Sequence, residues 1–197
     1  MIELAYQCRN LTHFKLGDNV LKETFFKKLE YFFLRKNNLR KLILSRCQTK
    51  LTFDFSNSLA RSLCSKFCHL EVINLSYSII KSEFALIIFK AIHKNTSIRK
   101  ARFINCNFGS HFFHDLLKFY IEHRIERFDS RKLLIDLSWN RINLKSKLNF
   151  KPILMDFFLI YSQIKIDLSV NTEIHNDHSF DQMILSKNLI PPPFKTN

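Results

Sequence analysis

Hydrophobic positions recur along this chain in a fixed order: apolar, two others, apolar, one other, apolar, two others, and then Asn, Cys or Ser. The order occurs in full four times, and twice more with a polar first residue, Lys132 or Gln163. Self-similarity at a period of about 20 to 50 residues is the signature of a repeat protein. The closing residues, which lie 28 to 34 positions apart, mark six repeats at Asn19, Cys47, Ser78, Cys106, Asn140 and Asn171.

Each copy of this order predicts a short strand. Apolar residues two apart, such as Leu42 and Leu44, point to the same side of an extended chain. The small polar residue that closes the order is expected to turn inward. There it can bond the backbone of the adjacent turn, which would otherwise carry buried and unpaired groups.

Between these strands the hydrophobic period changes from 2 to 3.6, which predicts five helices with one apolar stripe each. Ser82 and Ser110 stand where an N-cap is expected, Pro152 fits a first turn, and Ser179 with Gln182 has the spacing of a capping box. The stripes are Phe25, Phe26, Leu29 and Phe33; Ala60, Leu63, Cys64 and Phe67; Phe84, Ile87, Ile88 and Ala91; Phe113, Leu116, Leu117 and Tyr120; and Leu154, Phe157, Phe158 and Tyr161.

The repeating strand and helix, with the Asn or Cys that closes each strand, resemble the ribonuclease-inhibitor type of leucine-rich repeat over Leu11 to Leu189. The resemblance implies a curved α/β solenoid of about six strand–helix repeats. It implies a parallel sheet on the concave face, helices on the convex face, and binding by the concave face and its rim. The chain departs from the family pattern in using Phe at many core positions, and in having only Gly17 and Gly109 where the family often has a glycine before each helix.

We expect one domain at residues 1–189, in which residues 1–10 cap the first repeat, followed by a Pro-rich extended tail at residues 190–197. The chain has no apolar run near the eighteen residues that cross a bilayer and no signal-peptide pattern, so a soluble cytoplasmic protein is expected. Five cysteines, an odd number, favour reduced thiols over a disulfide framework. Cys47 and Cys106 close repeats, and Cys64 is predicted on a core stripe.

Positive charge is concentrated in the N-terminal half. The net charge is +14, and residues 1–100 carry 18 Lys and Arg against 7 Asp and Glu. Strict alternation places the residues between the inward apolar positions on the exposed side of each strand. The first four repeats are therefore expected to present a basic concave surface and the last two a mixed one, with Trp139 on the rim. The predicted binding residues are His13, Lys15, Lys41, Lys100 and Arg102, with Arg46 just past its strand.

Such a surface would attract an acidic macromolecule, and added salt would weaken the attraction. The alternative is that the charge only keeps the protein soluble, because several lysines, such as Lys27 and Lys90, fall on outward helix faces. The strands lack the interleaved aromatic and basic residues of RNA-recognition sheets. Any contact with nucleic acid is therefore expected to be with backbone phosphate.

Three groups of residues have partial metal-ligand spacing, but each has a simpler interpretation. Cys64, Cys68 and His69 are interpreted as core packing, because no second ligand pair follows. His111, His114 and Asp115 fit an exposed first helical turn, and His175, Asp177 and His178 an irregular segment. The chain also lacks the phosphate-loop, dinucleotide, zinc-protease and nucleophile-elbow motifs. We expect no catalysis, no cofactor, no metal and no small-molecule substrate.

The sequence thus favours a non-catalytic docking protein that binds a large acidic partner. Ribosomal RNA or a ribosomal protein is the expected partner, and the role would be structural or that of a ribosome-idling (hibernation) factor. The alternative is a protein–protein adaptor, such as a ubiquitin-ligase substrate-recognition module or a small-GTPase regulator. An F-box-like segment would have no room in the ten residues before the repeats, and Arg46 or Arg102 could be proposed as an arginine finger only without motif support.

Overall fold

The structure, a computed structural model, describes residues 8, 10–35, 37–47, 52–123, 132–144, 148–160, 163–169, 171 and 189–190. Within these residues six strands alternate with five helices, and a two-residue strand follows. The strands are β1 (His13–Lys15), β2 (Lys41–Ile43), β3 (Val72–Asn74), β4 (Lys100–Arg102), β5 (Leu133–Asp136), β6 (Ile164–Asp167) and β7 (Leu189–Ile190). The helices are α1 (Glu23–Phe33), α2 (Phe53–Leu63), α3 (Ser82–Lys94), α4 (Ser110–Glu122) and α5 (Phe150–Ile160).

All strands lie in one parallel sheet whose spatial order equals the chain order, from β1 to β7. Each of the first five crossovers passes through one helix, as parallel neighbours require. The six predicted strands and the five predicted helices are confirmed as elements. The sequence did not predict β7, which pairs with β6 through Leu189 opposite Ile166.

The core lies between the sheet and the helices. The middle residues of β2, β3 and β4, which are Leu42, Ile73 and Ala101, are fully buried and belong to one hydrophobic cluster with the helix stripes, whereas Phe14 in β1 is only partly buried against this cluster. Phenylalanines fill this space: the ring of Phe89 in α3 lies 4.4 Å from that of Phe103, which directly follows β4. Each repeat therefore buries its apolar face against its neighbours.

The closing residues form a hydrogen-bonded ladder beneath the turns that follow the strands. Asn140 and Asn171 are 3% and 2% exposed, and each donates from Nδ2 to backbone carbonyls of its own and the preceding repeat. Cys47 and Cys106 take the same place and donate from Sγ to Leu16 O and to Leu75 O. The predicted inward turn is confirmed for these four. Asn19, at the start of the ladder, is exposed.

Thiol labelling tests this placement of the cysteines. All five thiols are free; Cys8 and Cys64 are exposed, whereas Cys47, Cys68 and Cys106 are buried. Burial raises the pKa of Cys68 to about 11 and that of Cys106 to about 12. Because the thiolate is the reacting form, we expect N-ethylmaleimide at pH 7.5 to modify only Cys8 and Cys64 in the folded protein. Mass spectrometry would identify the adducts, and rapid modification of Cys106 before unfolding would contradict the ladder.

Two predicted helix details are wrong. Helix α2 begins at Phe53 and ends at Leu63, so Cys64 is an exposed C-cap residue and no part of a buried stripe. The true stripe includes Ser58 and Ser62, and the Ser62 hydroxyl is satisfied by donating to Ser58 O at 2.7 Å. Because a serine that bonds the helix backbone can be buried, the spacing of apolar residues predicted this helix but not its bounds.

The N-caps are also shifted by one residue. Lys81 and Gly109 occupy the N-cap positions of α3 and α4, and neither makes a side-chain cap bond, so Ser82 and Ser110 are the first helical residues. Ser110 instead bonds across to the next repeat, where its hydroxyl contacts the backbone N–H and carbonyl of Asn143. Pro152 lies in the first turn of α5, as expected. The predicted capping box at Ser179 and Gln182, and Tyr161 of the fifth stripe, lie outside the described residues.

An ion pair joins the first two helices. Arg61 in α2 binds both carboxylate oxygens of Glu30 in α1, through Nε and through Nη2 at 2.9 Å. Hydrogen bonding from Arg61 lowers the pKa of Glu30 below its ordinary value of 4.5. A carboxyl with a lowered pKa in the folded state stabilises the fold above its unfolded pKa, and that contribution is lost as pH falls through the folded pKa.

We therefore expect Glu30→Gln to lower the free energy of unfolding at pH 7 by at most about 1 kcal/mol, since Arg61 is largely exposed. The difference from the parent protein should shrink below pH 4 and disappear near pH 2. Urea titrations at these pH values would measure it. A difference that stays constant with pH would mean that Gln disturbs packing and that the charge is unimportant.

Candidate anion-binding face

The register of the strands brings most of the predicted cations onto one side of the sheet. Residues at equal positions of neighbouring strands lie about 4.8 Å apart, so they form columns across the sheet. We call the side that faces away from the hydrophobic cluster the polar face. Its first column is His13, Lys41, Val72, Lys100, Leu134 and Lys165, and its second is Lys15, Ile43, Asn74, Arg102, Asp136 and Asp167.

Three lysines and one histidine among the predicted residues lie at the basic end of the polar face, and we call them the basic cluster: His13, Lys15, Lys41 and Lys100. His13 and Lys41 are direct neighbours in the first column. Lys41 and Lys100 are two strands apart, or roughly 10 Å, with Val72 between them. Within the part of the chain that the structure describes, none of the three lysines forms an ion pair. Their ammonium groups are therefore available to an external anion.

Arg102 shares the polar face but already has an acidic neighbour. Its Nε lies 4.0 Å from Asp136 Oδ2 and is buried without a hydrogen-bond partner. Ile43 and Asn74 separate it from Lys15 in the second column. The charge of Arg102 is thus partly offset within the protein, and its contribution to an external site is weaker than that of the lysines.

The acidic residues of the second column have a structural role that explains why they lie at one end. Asp136 accepts from Ser138 N and Ser138 Oγ, and Asp167 accepts from Ser169 N at 2.9 Å. Asn74 makes the same bond to Ser76 N at 2.9 Å. An amide can therefore hold this turn as well as a carboxylate. The choice of Asp in β5 and β6 and not in β3 confines negative charge to the far end of the face.

Arg46 lies off the strands, in the turn after β2. The turns of the first five repeats contain an equivalent residue in the left-handed backbone region, with φ between 51° and 62°. Arg46, Tyr77, Asn105 and Trp139 each donate a backbone N–H to the following repeat. We call this set the turn row: Asp18, Arg46, Tyr77, Asn105 and Trp139.

Arg46 is held by both of its neighbours in the turn row. Its Nη1 lies 3.7 Å from Asp18 Oδ1, and its Cζ lies 5.1 Å from the centre of the Tyr77 ring. Both contacts are exposed. Arg46 is therefore beside the basic cluster and not within it, in agreement with its predicted place just past the strand.

Sequence reasoning missed the cations at the opposite edge of the sheet. Arg40 and Arg99 directly precede β2 and β4, and the repeat pattern does not mark that position. Arg40 pairs with Glu71 at 3.5 Å. Arg99 is half-buried and directly precedes Lys100.

The structure does not assemble the residues that had partial metal-ligand spacing. Among the described residues, no three His, Cys, Asp or Glu side chains are grouped so as to hold an ion. Cys64 is exposed and Cys68 is buried. His114 is 3.6 Å from Asp115, and its ring packs edge-on against Phe150. His175, Asp177 and His178 lie outside the described residues.

No protein-family model and no curated protein matches this chain. Within the described ranges, every helix is too short or too polar to cross a membrane. The polar face and the turn row are therefore the features of this chain that bear on its function.

Proposed function

We propose that this protein is a non-catalytic leucine-rich repeat solenoid that docks its polar face, as the concave face, onto the phosphate backbone of RNA in a ribonucleoprotein. One observation carries the proposal: the strand register gathers His13, Lys15, Lys41 and Lys100 on one side of a continuous sheet, and the lysines have no ion-pair partners among the described residues. Unpaired ammonium groups bind phosphate without first breaking an internal contact, which favours docking over a purely solubilising role.

The physical basis of binding would be counterion release. Each phosphate that a lysine neutralises releases condensed cations, so affinity falls steeply as salt concentration rises. The net charge of +14 adds long-range attraction and faster encounter. Phosphate contacts of this kind position a protein on RNA without reading its sequence.

We propose the ribosome as the partner by association, because its RNA is the most extensive acidic surface in a cell. The protein would be a structural ribosome-associated factor or one that holds ribosomes idle. The test is to sediment purified ribosomes with the tagged protein at 50 to 500 mM KCl and to measure how much of the protein co-sediments. The proposal expects co-sedimentation at low salt that is lost as salt rises. Absence of co-sedimentation at every salt concentration would refute the ribosomal assignment.

The acidic end of the face gives a finer test. Asp136→Asn should increase RNA affinity by a few-fold, because it removes one negative charge beside Arg102 and keeps a side-chain oxygen that can accept from Ser138. Binding curves for a labelled RNA hairpin would measure the change. Asp156→Asn, which changes an exposed helix residue by the same charge, is the control. Equal gains in both variants would indicate a general charge effect.

A second candidate is a protein–protein adaptor, and two aliphatic side chains favour it. Val20 and Ile79 follow turn-row residues by two positions and are 69% and 79% exposed. Exposed aliphatic side chains do not bind phosphate, whereas a protein partner could bury them in an interface. The adaptor predicts that purification from cells yields one discrete protein without RNA, and that Ile79→Asp abolishes its recovery.

A further inference from the structure

Two large aromatic side chains occupy backbone positions that do not suit them. The turn row needs φ near +60°, which Gly, Asn and Asp tolerate best. Asp18 and Asn105 meet this preference, but the row places Tyr77 at φ 60° and Trp139 at φ 59°. An ordinary turn residue would be more stable at both positions. Their side chains therefore need a reason other than the turn.

Burial does not supply that reason. Tyr77 is 45% exposed and Trp139 is 59% exposed, so neither ring is used fully in the core. Each ring projects from the end of its strand. Tyr77 already has one cation stacked on it, the guanidinium of Arg46.

Their spacing and surroundings suit the bases of a nucleic acid. The two rings belong to turns two strands apart, or roughly 10 Å, and Asn105, which is exposed, lies between them. This is a row of separate rings with a polar group in the gap, unlike the continuous apolar patch at the centre of a protein interface. Tyr77 follows β3. Lys41 and Lys100 lie on the two strands that flank β3, on the adjoining polar face.

We propose that Tyr77 and Trp139 are stacking platforms for bases of a single-stranded RNA segment whose phosphates lie along Lys41 and Lys100. The proposal rests on the RNA docking proposed above and adds that unpaired bases are bound at the turn row. Flat rings that project beside a cationic track bind single strands because every base offers a π-face. Duplex RNA, whose bases are already stacked and paired, would contact only the lysines.

The chain contains a built-in probe, because Trp139 is its only tryptophan. Stacking of a base should quench the fluorescence of Trp139. We would titrate the full chain with a twelve-nucleotide polyuridine and with a twelve-base-pair RNA duplex at the same salt concentration. The proposal expects quenching by the single strand and little quenching by the duplex.

Affinity measurements with aromatic variants complete the test. Tyr77→Ala and Trp139→Ala should each weaken single-strand binding by roughly 5- to 150-fold and leave duplex binding unchanged. Tyr31→Ala is the matched control. Tyr31 in α1 is 48% exposed, and the Arg35 guanidinium lies 4.1 Å from its ring centre, but it is on the helical side.

The outcomes separate this inference from the proposed function. Base stacking would be overturned if single strand and duplex bind equally, the fluorescence of Trp139 is not quenched, and neither Tyr77→Ala nor Trp139→Ala changes the affinity. Phosphate docking would then remain intact. Binding of neither RNA would refute both. Loss of binding to a purified protein partner in the Tyr77 and Trp139 variants, without RNA binding by the parent protein, would assign the turn row to the adaptor function.

Discussion

Replacement of Lys15, Lys41 and Lys100 together by Ala should weaken RNA binding by roughly 100- to 1000-fold near 0.1 M salt, since each lost phosphate contact removes about 0.9 from the salt-dependence slope. The plot of log affinity against log salt should become shallower by about 2 to 3 for the same reason. Fluorescence anisotropy of a labelled RNA hairpin across a salt series would measure both quantities.

The slope distinguishes direct contact from general charge. A control triple variant of Lys90, Lys94 and Lys151, all exposed on helices, also changes the net charge by three. It should reduce affinity by only a few-fold and leave the slope nearly unchanged, because these groups lie away from the polar face. If both triple variants lose affinity equally, the lysines of the basic cluster act only through net charge and the docking face is wrong.

We expect the variant that lacks Lys15, Lys41 and Lys100 to fold normally. Lys15, Lys41 and Lys100 are exposed or half-buried and make no ion pair within the described residues, so their removal leaves no buried partner unsatisfied. An unchanged urea midpoint would confirm this. Loss of RNA binding could then be assigned to the missing ammonium groups.

Much of the polar face could be predicted because alternation is a strict rule. Once Leu42 is assigned to the core, Lys41 must face the other way, and the parallel register then aligns Lys41 with His13 and Val72. The repeat spacing varies between 28 and 34 residues. These differences fall in the loops and helices, so the strands keep a constant register.

The remaining features depend on contacts that no local pattern encodes. The neutralising contact between Arg102 and Asp136 joins residues 34 positions apart and exists only through the register of β4 and β5. Left-handed backbone at Tyr77 and Trp139 could not be predicted either, because neither residue type favours it. The turn row was visible in the sequence only as Arg46 just past its strand and Trp139 on the rim. The five equivalent turns became evident through their shared backbone bonds to the next repeat.

The ladder that holds the repeats together gives the largest expected effect on stability. Asn140 Oδ1 accepts from Cys106 N at 2.9 Å and Phe108 N at 3.0 Å, and its Nδ2 donates to Phe103 O and Leu137 O at 2.8 and 2.9 Å. All of these groups are buried. The amide of one side chain therefore satisfies the backbone of two adjacent repeats.

Asn140→Ala should lower the free energy of unfolding by about 3 to 4 kcal/mol, because it leaves several buried donors and acceptors without hydrogen-bond partners at once. Urea denaturation followed by circular dichroism would measure the loss, and the melting temperature should fall by roughly 10 °C. Asn19→Ala is the control at the same ladder position. Asn19 is exposed, and its amide donates to Leu16 O and Gly17 O, so water can replace it and the loss should stay below about 1 kcal/mol.

Asn140→Asp separates the two halves of this role. A carboxylate keeps the acceptor for Cys106 N and Phe108 N but cannot donate to Phe103 O and Leu137 O. Repulsion between these carbonyls and the buried charge should make Asp at least as destabilising as Ala at pH 7, with partial recovery at acidic pH when the carboxyl can donate. Equal small effects of Asn140→Ala and Asn19→Ala would mean that core packing alone joins the repeats and that the ladder is incidental.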